Sequence, residues 1–208
     1  MGVIENIRKK TRKNCRQDLV AIDLDPTGVR CVRVKKTGDG IALLAAGSFP
    51  AVEFSPDVLA GTTSLSALEL PKPFQAKYAA TSVSGDGAVV KLLNLPGQLD
   101  QNSDGKIREH LGLGDGPYRI AYHPIGLGHD RSETRLLAVG LPEGYVQSVN
   151  RLFSSGIPIP TSVEVSGLAA LSAFAAGPLQ AHEEEAVGVV DYGALVSYVA
   201  FFHKRELV

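Results

Sequence analysis

Two short segments, one near each end of the chain, carry residues suited to phosphate and metal chemistry. Val20-Ala21-Ile22-Asp23-Leu24-Asp25-Pro26-Thr27-Gly28-Val29-Arg30 reads as an apolar strand, an Asp at its end, a turn and a second strand. Val187 to Tyr198 repeats that layout, with Asp191 at the strand end and Gly193-Ala194 in the turn. An Asp where a buried strand meets a tight turn can hold Mg²⁺ or its waters, and the turn's N–H groups can close around phosphate oxygens. Two such hairpins face to face would make a nucleotide clamp. Asp and Gly are also common turn formers, so the same residues equally describe two plain β-hairpins.

No other segment assembles a complete chemical set. Asp100-Gln101-Asn102-Ser103-Asp104-Gly105 matches the first six positions of a calcium-binding loop, but the twelfth, which needs a bidentate carboxylate, is Leu111. It reads as a polar loop before a short helix. The glycines at 112, 114, 116, 126 and 128 mark turns, since none opens a long helix after a strand. The five histidines lack metal-ligand spacing, and no Ser sits in a nucleophile elbow. Cys15 and Cys31 have no partner motif, which fits reduced thiols in a cytosolic protein.

The elements that must position the two Asp turns are legible from alternation and turn residues. Leu19–Asp23, Val29–Val34 and Ile41–Phe49 read as successive strands separated by Asp25-Pro26-Thr27-Gly28 and Thr37-Gly38-Asp39-Gly40. A helix is expected after Ser55, then a rigid connector at Leu70-Pro71-Lys72-Pro73. Strands follow at Lys77–Ser82 and Ala88–Leu93, then a short helix at Lys106–Leu111 and strands at Arg119–His123 and Thr134–Val139. The clearest helix spans Glu143 to Ser154, with Tyr145, Val149, Leu152 and Phe153 on one apolar face. A strand at Thr161–Val165 leads to a helix at Gly167–Ala175, and strands at Ala186–Asp191 and Leu195–Phe202 precede a last one starting near Leu207. A sheet that stops this early in its third strand leads us to expect a fragment with a second half of similar kind missing.

Charge is distributed unevenly. Residues 1–16 carry six basic side chains (Arg8, Lys9, Lys10, Arg12, Lys13, Arg16) against Glu5 alone, a net of +5, while the remaining chain holds 15 basic and 21 acidic residues. A basic arm can contact anionic lipid or simply be solvated. The acidic body and the lack of a basic, aromatic-rich motif argue against nucleic acid as a partner. The start is basic, but no apolar signal region follows, and the longest uncharged stretch, 165–181, is too short and too interrupted to span a bilayer. An intracellular protein is expected.

The order of these elements resembles an actin-like ATPase domain, and within that superfamily it resembles the PilM-like proteins of type IV pilus assembly, which are related to FtsA. The similarity covers about residues 17–208. Its first phosphate loop, typically G-I-D-I-G-S-S-S-I-K, aligns with Ala21-Ile22-Asp23-Leu24-Asp25-Pro26-Thr27-Gly28-Val29-Arg30; its second, typically D-I-G-A-S-T-T, aligns with Asp191-Tyr192-Gly193-Ala194-Leu195-Val196-Ser197. Leu136-Leu137-Ala138-Val139-Gly140-Leu141-Pro142 before a long helix and Gly156-Ile157-Pro158 before Val163-Glu164-Val165 are also similar.

The resemblance implies an α/β, actin-like (ribonuclease-H-like) fold with a small inserted α+β subdomain. Its expected limits are a basic arm at 1–17, a first subdomain at 18–87 and 134–156, an insert at 88–133, and the start of a second subdomain at 157–208. It implies ATP or ADP with Mg²⁺ held by Asp23, Asp25, Thr27, Arg30, Asp191, Gly193, Ala194 and Ser197, with Asp23 and Asp191 toward the metal. It further implies a scaffold on the cytoplasmic face of the inner membrane, binding the N-terminal tail of a PilN-like membrane protein and linking it to motor or platform components. In that family the tail lies in a groove between the first subdomain and the insert, and the strand near Ala88–Leu93 is the expected wall. The alternative is a nucleotide-dependent ATPase or small-molecule kinase of the same superfold.

This chain departs from the family pattern where phosphate would sit. Asp25 replaces a turn glycine and brings a negative charge, Pro26 removes an N–H donor, and Gly28 removes a hydroxyl. Arg30 replaces a compact lysine, and Leu195 and Val196 replace hydroxyl-bearing residues. Weakened nucleotide binding is the expectation.

Overall fold

The computed structural model describes residues 17–38, 40–52, 67–97, 99, 103–127, 132–153 and 155–208. The basic arm and the helix expected after Ser55 lie outside the described residues. In chain order the elements are β1 (Asp18–Asp25), β2 (Gly28–Thr37), β3 (Gly40–Phe49), β4 (Tyr78–Val83), β5 (Val89–Pro96), α1 (Ser103–Leu111), β6 (Tyr118–Leu127) and β7 (Glu133–Pro142). They continue as α2 (Glu143–Arg151), β8 (Ile159–Val165), α3 (Ser166–Ala176), β9 (Ala186–Tyr192), β10 (Ser197–His203) and β11 (Glu206–Leu207).

The fold is mixed α/β around a central five-stranded sheet ordered β3-β2-β1-β4-β8. The first three strands form an antiparallel meander; β4 and β8 run parallel to β1 and are reached by crossovers. Along β1, Val20, Ile22 and Leu24 are buried while Asp23 takes the opposite face, the two-residue period of a strand. On the buried face they meet Val29, Cys31, Ala79 and Val83, and α2 closes the layer with Tyr145, Val149 and Leu152. Burial alone pushes the Cys31 thiol up to about 11, so it behaves as a small apolar residue.

Two smaller antiparallel sheets flank this core. In β5-β7-β6, Leu93, Leu95, Leu136 and Ala138 pack under Ile107 and Leu111 of α1. In β11-β10-β9, Ala200 and Phe202 pack against Leu171 of α3 and Leu179. β7 therefore hydrogen-bonds to β5 and β6, and β8 to β4. Pairing partners are set by non-local contacts that the order of elements does not display.

Several element ends also differ from expectation. α1 starts at Ser103, three residues early, and α2 ends at Arg151 with Leu152 as its cap instead of running to Ser154, which lies outside the described residues. β6 runs on to Leu127 and tolerates Pro124 because it is an edge strand with an irregular register there. β10 starts at Ser197 instead of Leu195, since four residues separate it from Tyr192. Among the described residues, no helix is long and apolar enough to cross a membrane.

Candidate functional site

The turn after β1 is short. Asp25 pairs with Gly28, leaving only Pro26 and Thr27 to reverse the chain. That register sets Asp23 directly opposite Arg30, so both side chains leave the same face of the sheet. The parallel neighbour β4 places Ser82 beside Asp23 in turn. β8 ends beside β4, and the first residue of α3, Ser166, reaches the same carboxylate.

Asp23 is consequently the hub of a hydrogen-bond network joining four elements. Its Oδ1 accepts from the hydroxyls of Ser82 at 2.7 Å and Ser166 at 2.6 Å, and its Oδ2 accepts from Arg30 Nη1 at 3.1 Å. The same guanidinium nitrogen lies 3.9 Å from Asp25, and Arg30 Nη2 reaches Thr27 Oγ1 at 3.4 Å. Asp25 is buried and folds back on its own turn, accepting from the Thr27 N–H at 2.8 Å and from the Thr27 hydroxyl. Burial pushes the Asp25 carboxyl up, but the Thr27 hydroxyl and N–H and the Arg30 charge together draw it below its ordinary value.

The second Asp turn is built differently. Tyr192 pairs with Ser197, so the loop is the four residues Gly193 to Val196. Gly193 is required there by close approach: a Cβ would stand 2.3 Å from the Val196 carbonyl oxygen. Tyr192 and Leu195 are exposed. Asp191 lies opposite Tyr198, whose hydroxyl is pushed up by burial first and by the Asp191 and Asp86 charges second.

The two hairpins meet at the start of α3. Ser166 binds Asp23 of the first, and its neighbour Gly167 receives the Tyr198 ring of the second so closely that a Cβ would lie 1.9 Å from it. The Tyr198 hydroxyl lies over Gly85, where a Cβ would lie 2.6 Å away and where φ is +83°. Beside it, Asp86 accepts from Ser84 at 2.8 Å and from the buried Tyr145 hydroxyl.

Asp23, Asp25, Thr27, Arg30, Asp191, Gly193 and Ala194 line one open cleft of about 650 Å³, with Ser82, Ser166 and Tyr192. Ser197, the remaining candidate, is outside that lining. Sequence reasoning missed Ser82 and Ser166. Ser166 carries a local signal, a Ser at a strand-to-helix junction. Ser82 carries none, because only the parallel register of β1 and β4 brings it to Asp23.

A phosphate needs free donors, and several of those in the first turn are already engaged. Pro26 has no N–H, the Thr27 N–H serves Asp25, and Arg30 is held by Asp23 and Asp25. Both Asp23 oxygens are likewise occupied. Among the described residues, no three His, Cys, Asp or Glu side chains gather to hold a metal, though a nucleotide-bound Mg²⁺ needs only one or two carboxylates. The first turn thus holds its carboxylates on its own hydroxyls, one N–H and the Arg30 guanidinium. The second turn keeps Asp191 and the N-terminus of α3 beside it.

A second opening lies along the face of β5-β7-β6 turned away from α1. Two cavities of about 490 and 480 Å³ share Leu168 of α3. One is lined by Ala121, Val139 and Leu141 against β8; the other by Val90, Leu92 and Leu137 against α3 and β10. β8, an edge strand of its sheet, runs along the first.

No family model and no curated protein matches the sequence. Solved structures do match. The PilM-PilN type IV pilus biogenesis complex contains a chain that superposes with a TM-score of 0.71 at 15% identity, covering 93% of this chain and 60% of that one. A protein from Bacteroides thetaiotaomicron, described as having an actin-like ATPase fold and unknown function, superposes with a TM-score of 0.57 at 8% identity, covering 94% of this chain and 69% of that one. At these identities the likeness is one of fold, and this chain spans three-fifths of the pilus protein's length. The chain has a PilM-like, actin-like α/β fold.

Proposed function

We propose that the chain is a PilM-like scaffold of a type IV pilus or related secretion assembly, in which a groove carries the function and the nucleotide cleft is degenerate. In this reading it sits in the cytoplasm against the inner membrane and binds the N-terminal tail of a PilN-like membrane protein. The observation that carries the reading is the contrast between the two openings. At the first Asp turn the polar groups of the cleft are bonded to one another, whereas the groove is largely apolar and flanked by the edge strand β8. An extended peptide gains main-chain hydrogen bonds from a strand edge and specificity from apolar pockets beside it. In this reading the strand near Ala88–Leu93 supplies a wall through Val90 and Leu92, which face α3 and β10.

The test is fluorescence anisotropy with a labelled peptide of a PilN-like N-terminal tail. Ala121→Asp and Leu92→Asp each place a charge on an exposed lining position of one half of the groove. Binding near the micromolar range, weakened at least about tenfold by either substitution, supports the scaffold reading. Peptide binding that neither substitution alters, or the absence of binding, contradicts it. The ATPase or kinase alternative requires the cleft to bind nucleotide tightly.

A further inference from the structure

The far end of the β2-β3 hairpin combines features that neither the cleft nor the groove uses. Register pairs Lys36 with Ile41 and Val34 with Leu43, so Val34, Lys36, Ile41 and Leu43 share one face. Between Arg33 and Val34 the partner steps from Ala45 to Leu43, which leaves Leu44 as the extra residue of a bulge. Ile41, Leu43 and Leu44 are 76%, 66% and 48% exposed, a high degree for three large aliphatic side chains at one tip. Lys35 and Lys36 beside them are exposed too. Asp18, the nearby acid on β1, is held by Arg33 at 2.7 Å, and the acid of the turn, Asp39, lies outside the described residues.

The start of the described chain is fastened to this same tip. The Lys36 N–H donates to the Gln17 carbonyl at 2.7 Å, so the residue that follows the arm of net charge +5 is bonded to the hairpin. We propose that this end of the molecule docks on an anionic lipid bilayer: Ile41, Leu43 and Leu44 enter the interface while Lys35 and Lys36 meet the headgroups. Neither a small apolar tip nor a few cations alone holds a protein firmly on a membrane, but the two together do.

The experiment is co-sedimentation of the full 208-residue chain with vesicles of phosphatidylglycerol and phosphatidylcholine, beside pure phosphatidylcholine vesicles. Binding to the anionic vesicles is expected, at least tenfold weaker on the neutral ones, at least tenfold weaker for Ile41→Asp with Leu43→Asp, and weaker again for Lys35→Glu with Lys36→Glu. The chain has no Trp, so Ile41→Trp gives a single reporter that keeps an apolar tip. Its emission is expected to shift blue on anionic vesicles and to be quenched by spin-labelled lipid. Equal binding to both vesicle types overturns the proposal. So does binding that depends on the arm alone, with no effect of the aliphatic substitutions and no blue shift. A dimer in solution that the aliphatic substitutions dissolve, or binding to DNA without binding to vesicles, overturns it as well.

Discussion

The two Asp turns start from the same pattern and end in different states. In the first, two residues reverse the chain and both carboxylates are engaged: Thr27 caps Asp25, and Arg30, Ser82 and Ser166 surround Asp23. In the second, four residues reverse the chain, Tyr192 is 85% exposed, and the tight contacts are Gly193 against its own loop and Tyr198 against Gly167. A charged strand-end Asp needs partners. The first turn obtains them from its own chain, including a guanidinium where a cation would otherwise stand. A pattern that suits ligand binding thus serves in one place as a clasp and in the other as an open loop.

The largest expected effect breaks the joint between them. Gly167→Ala drives a Cβ into the Tyr198 ring and should lower stability by about 3 kcal/mol, read as an earlier midpoint in urea unfolding. An unchanged midpoint would show that Tyr198 moves freely and that the hairpins are not joined at α3.

Asp23→Ala should cost about 2 kcal/mol, because the hydroxyls of Ser82 and Ser166 and the Arg30 guanidinium lose their shared acceptor. The paired substitution Asp191→Ala should cost under about 0.5 kcal/mol by the same melt, since that turn builds no such network. Equal losses would erase the comparison. Gly193→Ala lies between, at about 1 kcal/mol, because its strain is confined to the loop.

The smallest effect is one of pH. The Asp18 carboxyl is held down mainly by its hydrogen bonds from Arg33, and Asp25 is held down by Thr27 and Arg30 against burial. A depressed carboxyl contributes stability that is fully present above its unfolded value near 3.8 and is lost as pH falls through the lower folded value. Asp25→Asn should therefore melt closer to the parent chain at about pH 2 than at about pH 5. A gap that stays constant with pH would mean that Asp25 is not ionised in the fold.

Much of this was readable in the residues. Alternation in β1 and turn residues at 25–28 and 37–40 located the first sheet's meander, and the Asp turns were visible as strand-end acids before turn formers. Asp23 opposite Arg30 also follows from a two-residue turn counted outward. What stayed hidden depends on non-local register: Ser82 at Asp23 through β4, β7 with β5 and β6, and β8 with β4. Asp25 shows the limit of reading types alone. Its charge reads as repulsion toward a phosphate, but the fold turns the carboxylate inward onto Thr27, and the loss of a free N–H becomes the stronger obstacle.

The first turn engages its own side chains where a nucleotide would bind. Calorimetric titration of the chain with ATP and Mg²⁺, beside Asp23→Ala, addresses that directly. No saturable heat tighter than about 1 mM is expected for the parent chain. Micromolar binding that Asp23→Ala abolishes would contradict it, because Arg30, Ser82 and Ser166 would then have yielded the carboxylate to a nucleotide.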